Sequence, residues 1–330
     1  MRQYILSLLA GQKMNTLPAF SGLIHITTAG LEREGLAFND IHKEAGQMAQ
    51  AAASTFKLTG LPSAVAPLDM YVEAEALGAE VRYYEQVVNV FPQVAKPLVS
   101  SARQLNREFF ERVDITQSGR VPLVCEALRL LKAEIGNEAV IGGMQPGPYS
   151  LLLFLVEPGG LFTEMKREPE IVLEALQGLA GVLARVGQAY REAGADFITV
   201  HDMGGSPAFI GPAKYEQFVY PAEKALLERL PGPRVLSVCG NVTRSLDLLN
   251  EVGAEAISID QTTDAATART ALTDTLLFGN IDPVAVLSAG TEAQVHEAAR
   301  RAQEAGVDAI WPGCDLVPST PVENIRVLLR

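Results

Sequence analysis

Cysteine is scarce in this chain. Only Cys125, Cys239 and Cys314 occur in 330 residues. They are too few and too scattered for a disulfide framework, so a reducing, cytoplasmic setting is expected. Positive charge is also short. The 27 lysines and arginines face 39 acids, a net charge of −12. That balance argues against nucleic acid or an anionic membrane as partner. Long apolar runs are missing. The longest, SLLLFLV at 150–156, falls far short of the roughly 20 residues of a membrane helix. The apolar patch near the N-terminus has no small-residue cleavage site behind it, and it reads as an amphipathic first helix. No linker rich in proline, glycine or serine interrupts the chain, so one domain over residues 1–330 is expected.

What is present is a repeated phrase. EAGADFI runs over 192–198, EVGAEAI over 251–257 and EAGVDAI over 304–310. Each places a glycine where a helix stops and a strand begins. Apolar runs at RVLSVC (234–239) and LLFGN (276–280) lie between them. Helical segments separate these runs. Leu179, Val182, Leu183, Val186 and Tyr190 form one stripe, and TEAQ at 291–294 has the form of a capping box. Strands near 196, 234, 255, 276 and 308 therefore alternate with helices, which means parallel pairing. LPAFSG (17–22), SAVAP (63–67) and AVIGGM (139–144) add three more. Eight strands predict a (β/α)8 TIM-type barrel with extra N-terminal helices. The rival, an open doubly wound sheet, lacks the glycine fingerprint of dinucleotide binding after its first strand.

In such a barrel the chemistry gathers at the C-terminal strand ends. Those ends carry Asp69, Gln145, His201, Asp202, Cys239, Asn241, Asp260, Asn280, Asp282, Cys314 and Asp315. Asp260 and Asp282 have an equally good reading as helix caps. The two cysteines could simply be packed, and His201 could be a hydrogen-bonded core imidazole. Tyr83, Tyr84 and Tyr149 are expected as wall residues. Acids and amides dominate this crown, which suits a ligand rich in N–H donors.

APLDMYVEAEALG, ITVHDMGGSPAFIGPAKYEQFVYP, VCGN, FGNIDP and PGCDL, in that order, resemble the uroporphyrinogen decarboxylase superfamily. More narrowly they resemble its corrinoid-dependent methyltransferase branch. The resemblance implies the barrel fold. NTLPAFSGLIHITTAG lacks the arginine with which the decarboxylases grip porphyrin carboxylates, so porphyrin decarboxylation is not expected. The thiol-methylating members carry zinc on an H-x-C motif and a distant cysteine. The matching positions here are Ser237, Cys239 and Cys314, with serine in place of the histidine.

Serine is a poor zinc ligand, and two thiolates alone make a weak site. Zinc is accordingly not expected, and the acceptor is expected to need no deprotonation. Tetrahydrofolate, with a neutral N5 amine, fits that description. The expected activity is methyl transfer from methylcobalamin to tetrahydrofolate. The corrinoid would ride on a partner protein, since no D-x-H-x-x-G motif occurs in the chain. Asp202, Asn241 and Asp260 are the expected catalytic residues, with Asp202 first and Asp260 second for anchoring the pterin. Asp69, Gln145, Tyr149, His201, Asn280, Asp282 and Asp315 are expected to bind pterin or corrinoid. Two alternatives stand beside this reading. One is a zinc thiol methyltransferase that uses Cys239, Cys314 and an oxygen donor such as Asp260. The other is a non-catalytic pterin- or corrinoid-binding barrel.

Overall fold

The computed structural model describes residues 1–12, 16–84 and 89–330. Seven parallel strands follow one another around a curled sheet in chain order. They are β1 (Ser63–Ala66), β2 (Val140–Pro146), β3 (Phe197–Asp202), β4 (Arg234–Val238), β5 (Ala256–Ile259), β6 (Leu276–Ile281) and β7 (Ala309–Pro312). Residues 17–22, expected as a strand, close the ring between β7 and β1. The Phe20 amide donates to the Ile310 carbonyl at 3.3 Å and the Ile310 amide to the Pro18 carbonyl at 2.9 Å. On the other edge, the Ser21 amide donates to Ser63 Oγ at 3.0 Å. The expected barrel is thus present, with its eighth stave reduced to a single bridge at Ala19.

Three helices precede β1: α1 (Arg2–Leu9), α2 (Thr28–Glu34) and α3 (Ala45–Thr59). Further along lie α4 (Val121–Ile135), α5 (Pro148–Leu155), α6 (Pro169–Glu192), α7 (Tyr220–Arg229) and α8 (Glu292–Glu304). The predicted stripe on α6 is buried along its length. The capping box at Thr291 and Gln294 opens α8, with both reciprocal hydrogen bonds made. No helix among the described residues is long and apolar enough to cross a membrane.

The repeated phrase ends a helix as expected. Gly194, Gly253 and Gly306 have φ of +116°, +93° and +86°, a conformation that favours glycine. Its acid has a further use. Asp196 accepts the amide of Ile141 at 2.9 Å, Glu255 that of Arg234 at 2.6 Å and Asp308 that of Leu277 at 2.8 Å. Each acid thus satisfies an amide near the start of the preceding strand.

Two layers fill the barrel. At the N-terminal end, Phe20, Phe197, Phe278 and Trp311 meet edge-to-face or tilted, with centroids 5.0–6.5 Å apart. Ile5, Leu8 and Leu9 of α1 plug the floor beneath them. This apolar floor leaves the polar residues of β3–β6 for the opposite, C-terminal end. A second and larger apolar core packs the sheet against the helices.

Candidate metal centre at the barrel mouth

Alternation along β3 turns Phe197, Thr199 and His201 to the inside and Asp202 to the outside. His201 is fully buried. Its Cα partner across the ladder is Ser237 of β4, two residues before Cys239. Cys314 reaches the same point from the loop after β7. The three ligand atoms lie within 4.8 Å of one another. Cys239 Sγ is 3.6 Å from His201 Nε2 and 3.4 Å from Cys314 Sγ, and Cys314 Sγ is 4.0 Å from His201 Nε2. Zinc–sulfur bonds of about 2.3 Å and zinc–nitrogen bonds of about 2.0–2.1 Å in a tetrahedron give edges of roughly 3.5–3.8 Å. The triangle has the right size, and one imidazole with two thiols is a zinc-type donor set that leaves one position open.

Glycine makes two of these placements possible. Gly240, at φ +80°, lets the chain turn directly after Cys239. Gly313, just before Cys314, packs so closely on the β5 loop that a Cβ would lie 2.9 Å from Asp260 Cα.

The electrostatics without metal show what the cluster wants. The hydrogen bond between the sulfurs, with burial opposing it and His201 assisting, lowers the Cys314 thiol. The same bond, with burial, raises Cys239. Burial disfavours charge on His201, yet Cys314 and the carboxylates of Asp315 and Asp202 outweigh it and push the imidazole up to about 9. A cation is stabilised at this point, as a metal would be. Desolvation and Cys314 push Asp315 up to about 6, although it accepts the Ile24 amide at 2.8 Å.

The other strand-end residues mostly build the frame. Asp260 accepts from the Gly240 amide and, at 2.8 Å, from the Thr262 amide. Asn280 donates to the carbonyls of Asp260 and Thr263. Asn241 donates to the Thr262 carbonyl at 2.8 Å and accepts from the Thr243 amide at 3.1 Å. These three residues clamp the loop that carries Cys239. Asp282 caps the turn after β6, accepting from Val284 and Ala285 at 2.8 Å each.

Asp202 lies outside the barrel wall, where it accepts from Ser150 Oγ at 2.6 Å and the Gly205 amide at 2.8 Å. Burial raises it. Burial and the neighbouring Asp202 together raise Glu223 of α7, whose Oε2 accepts from Tyr215 OH at 2.7 Å. Gln145 is buried on the side facing α6, near Gly187. Asp69 is buried under Arg120, with bonds of 2.6 and 3.1 Å, and under His42 Nδ1 at 3.0 Å. Burial works against its charge, but Arg120 and His42 prevail and hold it well below the usual carboxylate range. Tyr83 stands beside this cluster and donates to Glu75 at 3.0 Å; Tyr84 bonds Gln93. Tyr149, its hydroxyl pushed up to about 12 by burial, helps line a mostly apolar groove of 530 Å³ with Phe154, Phe162, Met203, Phe209 and Ile210. Met203 brings this groove to within two residues of His201.

Of the residues expected from sequence, His201 and Asp315 therefore stand with the two cysteines at the mouth. The expectation of a ligand set without imidazole is corrected by the position of His201. A clue was available: β3 and β4 are consecutive strands, so adjacent positions on them can supply one side chain to the same point.

The uroporphyrinogen decarboxylase (URO-D) family matches residues 2–330. Methylcobamide:CoM methyltransferase MtbA of Methanosarcina acetivorans is 30% identical over 327 residues, covering 97% of this chain and 93% of its own. Methylcobamide:CoM methyltransferase MtaA of Methanosarcina barkeri is 27% identical over 334 residues, covering 98% and 95%. A solved methyltransferase from Methanosarcina mazei superposes with a TM-score of 0.92 at 25% identity, covering 99% of this chain and 96% of that one.

Proposed function

This chain belongs to the uroporphyrinogen decarboxylase family, in its corrinoid-dependent methyltransferase branch, and we propose that it is a methylcobamide:thiol methyltransferase with zinc held by His201, Cys239 and Cys314. The observation that carries the reading is the triangle of Nε2 and two Sγ atoms, 3.4–4.0 Å on a side. It supports the thiol alternative rather than tetrahydrofolate. The folate reading rested on the absence of an imidazole, and His201 removes that ground.

A free thiol has a pKa of about 8.5 and reacts as thiolate. Zinc in this site would bind the acceptor sulfur and favour its deprotonated form at neutral pH. His201, Cys239 and Cys314 would fix the sulfur at the centre of the mouth. Asp260, Asn241 and Asn280 would keep the Cys239 loop in place. The sulfur would attack the methyl carbon in line. The S–C bond would form as the Co–C bond of the donor broke, with that bond's electron pair left on cobalt. Alignment is a large part of the rate in such displacements. The groove along Met203, Phe209 and Phe154 offers an apolar wall to a corrin macrocycle, presented by a corrinoid protein. The coenzyme M named for the relatives suggests a small thiol of that kind.

The test is an acceptor panel with methylcobalamin as donor, followed by the corrinoid absorbance change. Coenzyme M and homocysteine should support turnover that a chelator abolishes and zinc restores, and tetrahydrofolate should not. Turnover with tetrahydrofolate alone, indifferent to chelator, would refute the proposal.

A further inference from the structure

Five buried polar atoms inside the barrel have no partner among the described residues: His201 Nδ1, Ser237 Oγ, Ser258 Oγ, Thr199 Oγ1 and Trp311 Nε1. The first four form one group. Ser237 pairs across the ladder with His201 on one side and with Ser258 on the other. Thr199 lies one step below His201 on the same face. Thr199 and Trp311 converge on Gly22, where a Cβ would come within 2.4 Å of the hydroxyl and 2.5 Å of the indole.

A ligand imidazole gives one lone pair to the metal, and its other nitrogen carries the proton. Here Nε2 faces the sulfurs, so Nδ1 must be the donor. Nδ1–H and the indole N–H can only donate, whereas the three hydroxyls can donate and accept. One water among them can accept the imidazole proton and reach two hydroxyls, about the three bonds a buried water makes. Leaving such groups without partners in a dry core is unfavourable.

We propose that Ser237 is a positioning residue for the metal: with Ser258 it holds a buried water that accepts the Nδ1 proton of His201 and fixes the ring with Nε2 toward the two sulfurs. On this view Ser237 supports an imidazole that the neighbouring strand supplies. The inference rests on the metal reading above.

Cobalt(II) substitution tests it. Affinity is measured by competition with a chromogenic chelator, and ligand geometry by the visible d–d bands. Ser237→Ala should bind cobalt about 10- to 100-fold more weakly than the wild type and shift the d–d bands. Ser237→Thr, which keeps the hydroxyl, should recover most of the affinity. Ser258→Ala should weaken binding in the same direction. Unchanged affinity and spectrum in Ser237→Ala would overturn the inference and leave the metal centre standing. A wild-type protein that takes up no stoichiometric cobalt would sink both.

Discussion

At the scale of single residues, the protein keeps two kinds of buried titratable group, and they respond differently to substitution. The proposed metal ligands His201, Cys239 and Cys314 are the first kind. Cys314→Ala and His201→Ala each leave two protein ligands, too few for a tight site. Metal analysis should show bound zinc falling from about one per chain in the wild type to near zero in both. Retention of zinc in His201→Ala would assign the third ligand elsewhere. Glu73 is the second kind. It is buried, its Oε1 accepts from Tyr190 OH at 3.2 Å, and Oε2 has no partner among the described residues. Burial, helped by the charge of Asp69, pushes its carboxyl up to about 8 against the hydrogen bonds from its own amide and Tyr190 and the charge of Arg120. Its folded-state value lies above the unfolded one, so the folded chain holds this proton more tightly. The resulting stability is complete below about pH 4 and is lost as pH rises through about 8, at up to about 1.4 kcal/mol per pH unit. Glu73→Gln removes that loss. Urea denaturation should find the variant near wild type at pH 5 and more stable by at least about 1 kcal/mol above pH 8. An unchanged pH profile would mean that Glu73 is already ionised in the folded protein.

At the scale of elements, the repeated phrase explains why much of the fold was legible. Helix stop, left-handed glycine and strand start are local events, so Gly194, Gly253 and Gly306 mark β3, β5 and β7 in the sequence itself. The role of the acid was hidden because its partner is distant. Asp308 accepts from Leu277, 31 residues earlier, and pairs with Arg269 at 2.7 Å. Asp308→Ala should cost about 1–3 kcal/mol by leaving the Leu277 amide without its acceptor. Hydrogen exchange should localise the loss to the start of β6, and uniform destabilisation would contradict that account. The same distinction separates the site residues that could be read from those that could not. Cys239 and Cys314 stand in local motifs. His201 joins the two cysteines only through its register with Ser237, and register is a property of strand pairing. Asp202 looked like a mouth residue because a glycine turn follows it, but a one-residue change of parity on β3 puts it outside the wall, against Glu223.

At the scale of the whole molecule, the two ends of the barrel do different work. The aromatic plug and α1 seal the N-terminal end, so the polar interior opens only toward the mouth. There His201, Cys239 and Cys314 converge, and Met203, two residues after His201, lines the apolar groove, on a chain that is acidic overall. A thiol approaching from solvent and a methylated corrinoid seated against the rim would meet at one point. Zinc K-edge absorption of the purified protein, with and without an acceptor thiol, tests that arrangement most directly. The account predicts a first shell of two sulfurs and one imidazole nitrogen completed by a light atom, gaining a third sulfur when the thiol is added. A protein without stoichiometric zinc, or a shell unaltered by the thiol, would contradict it.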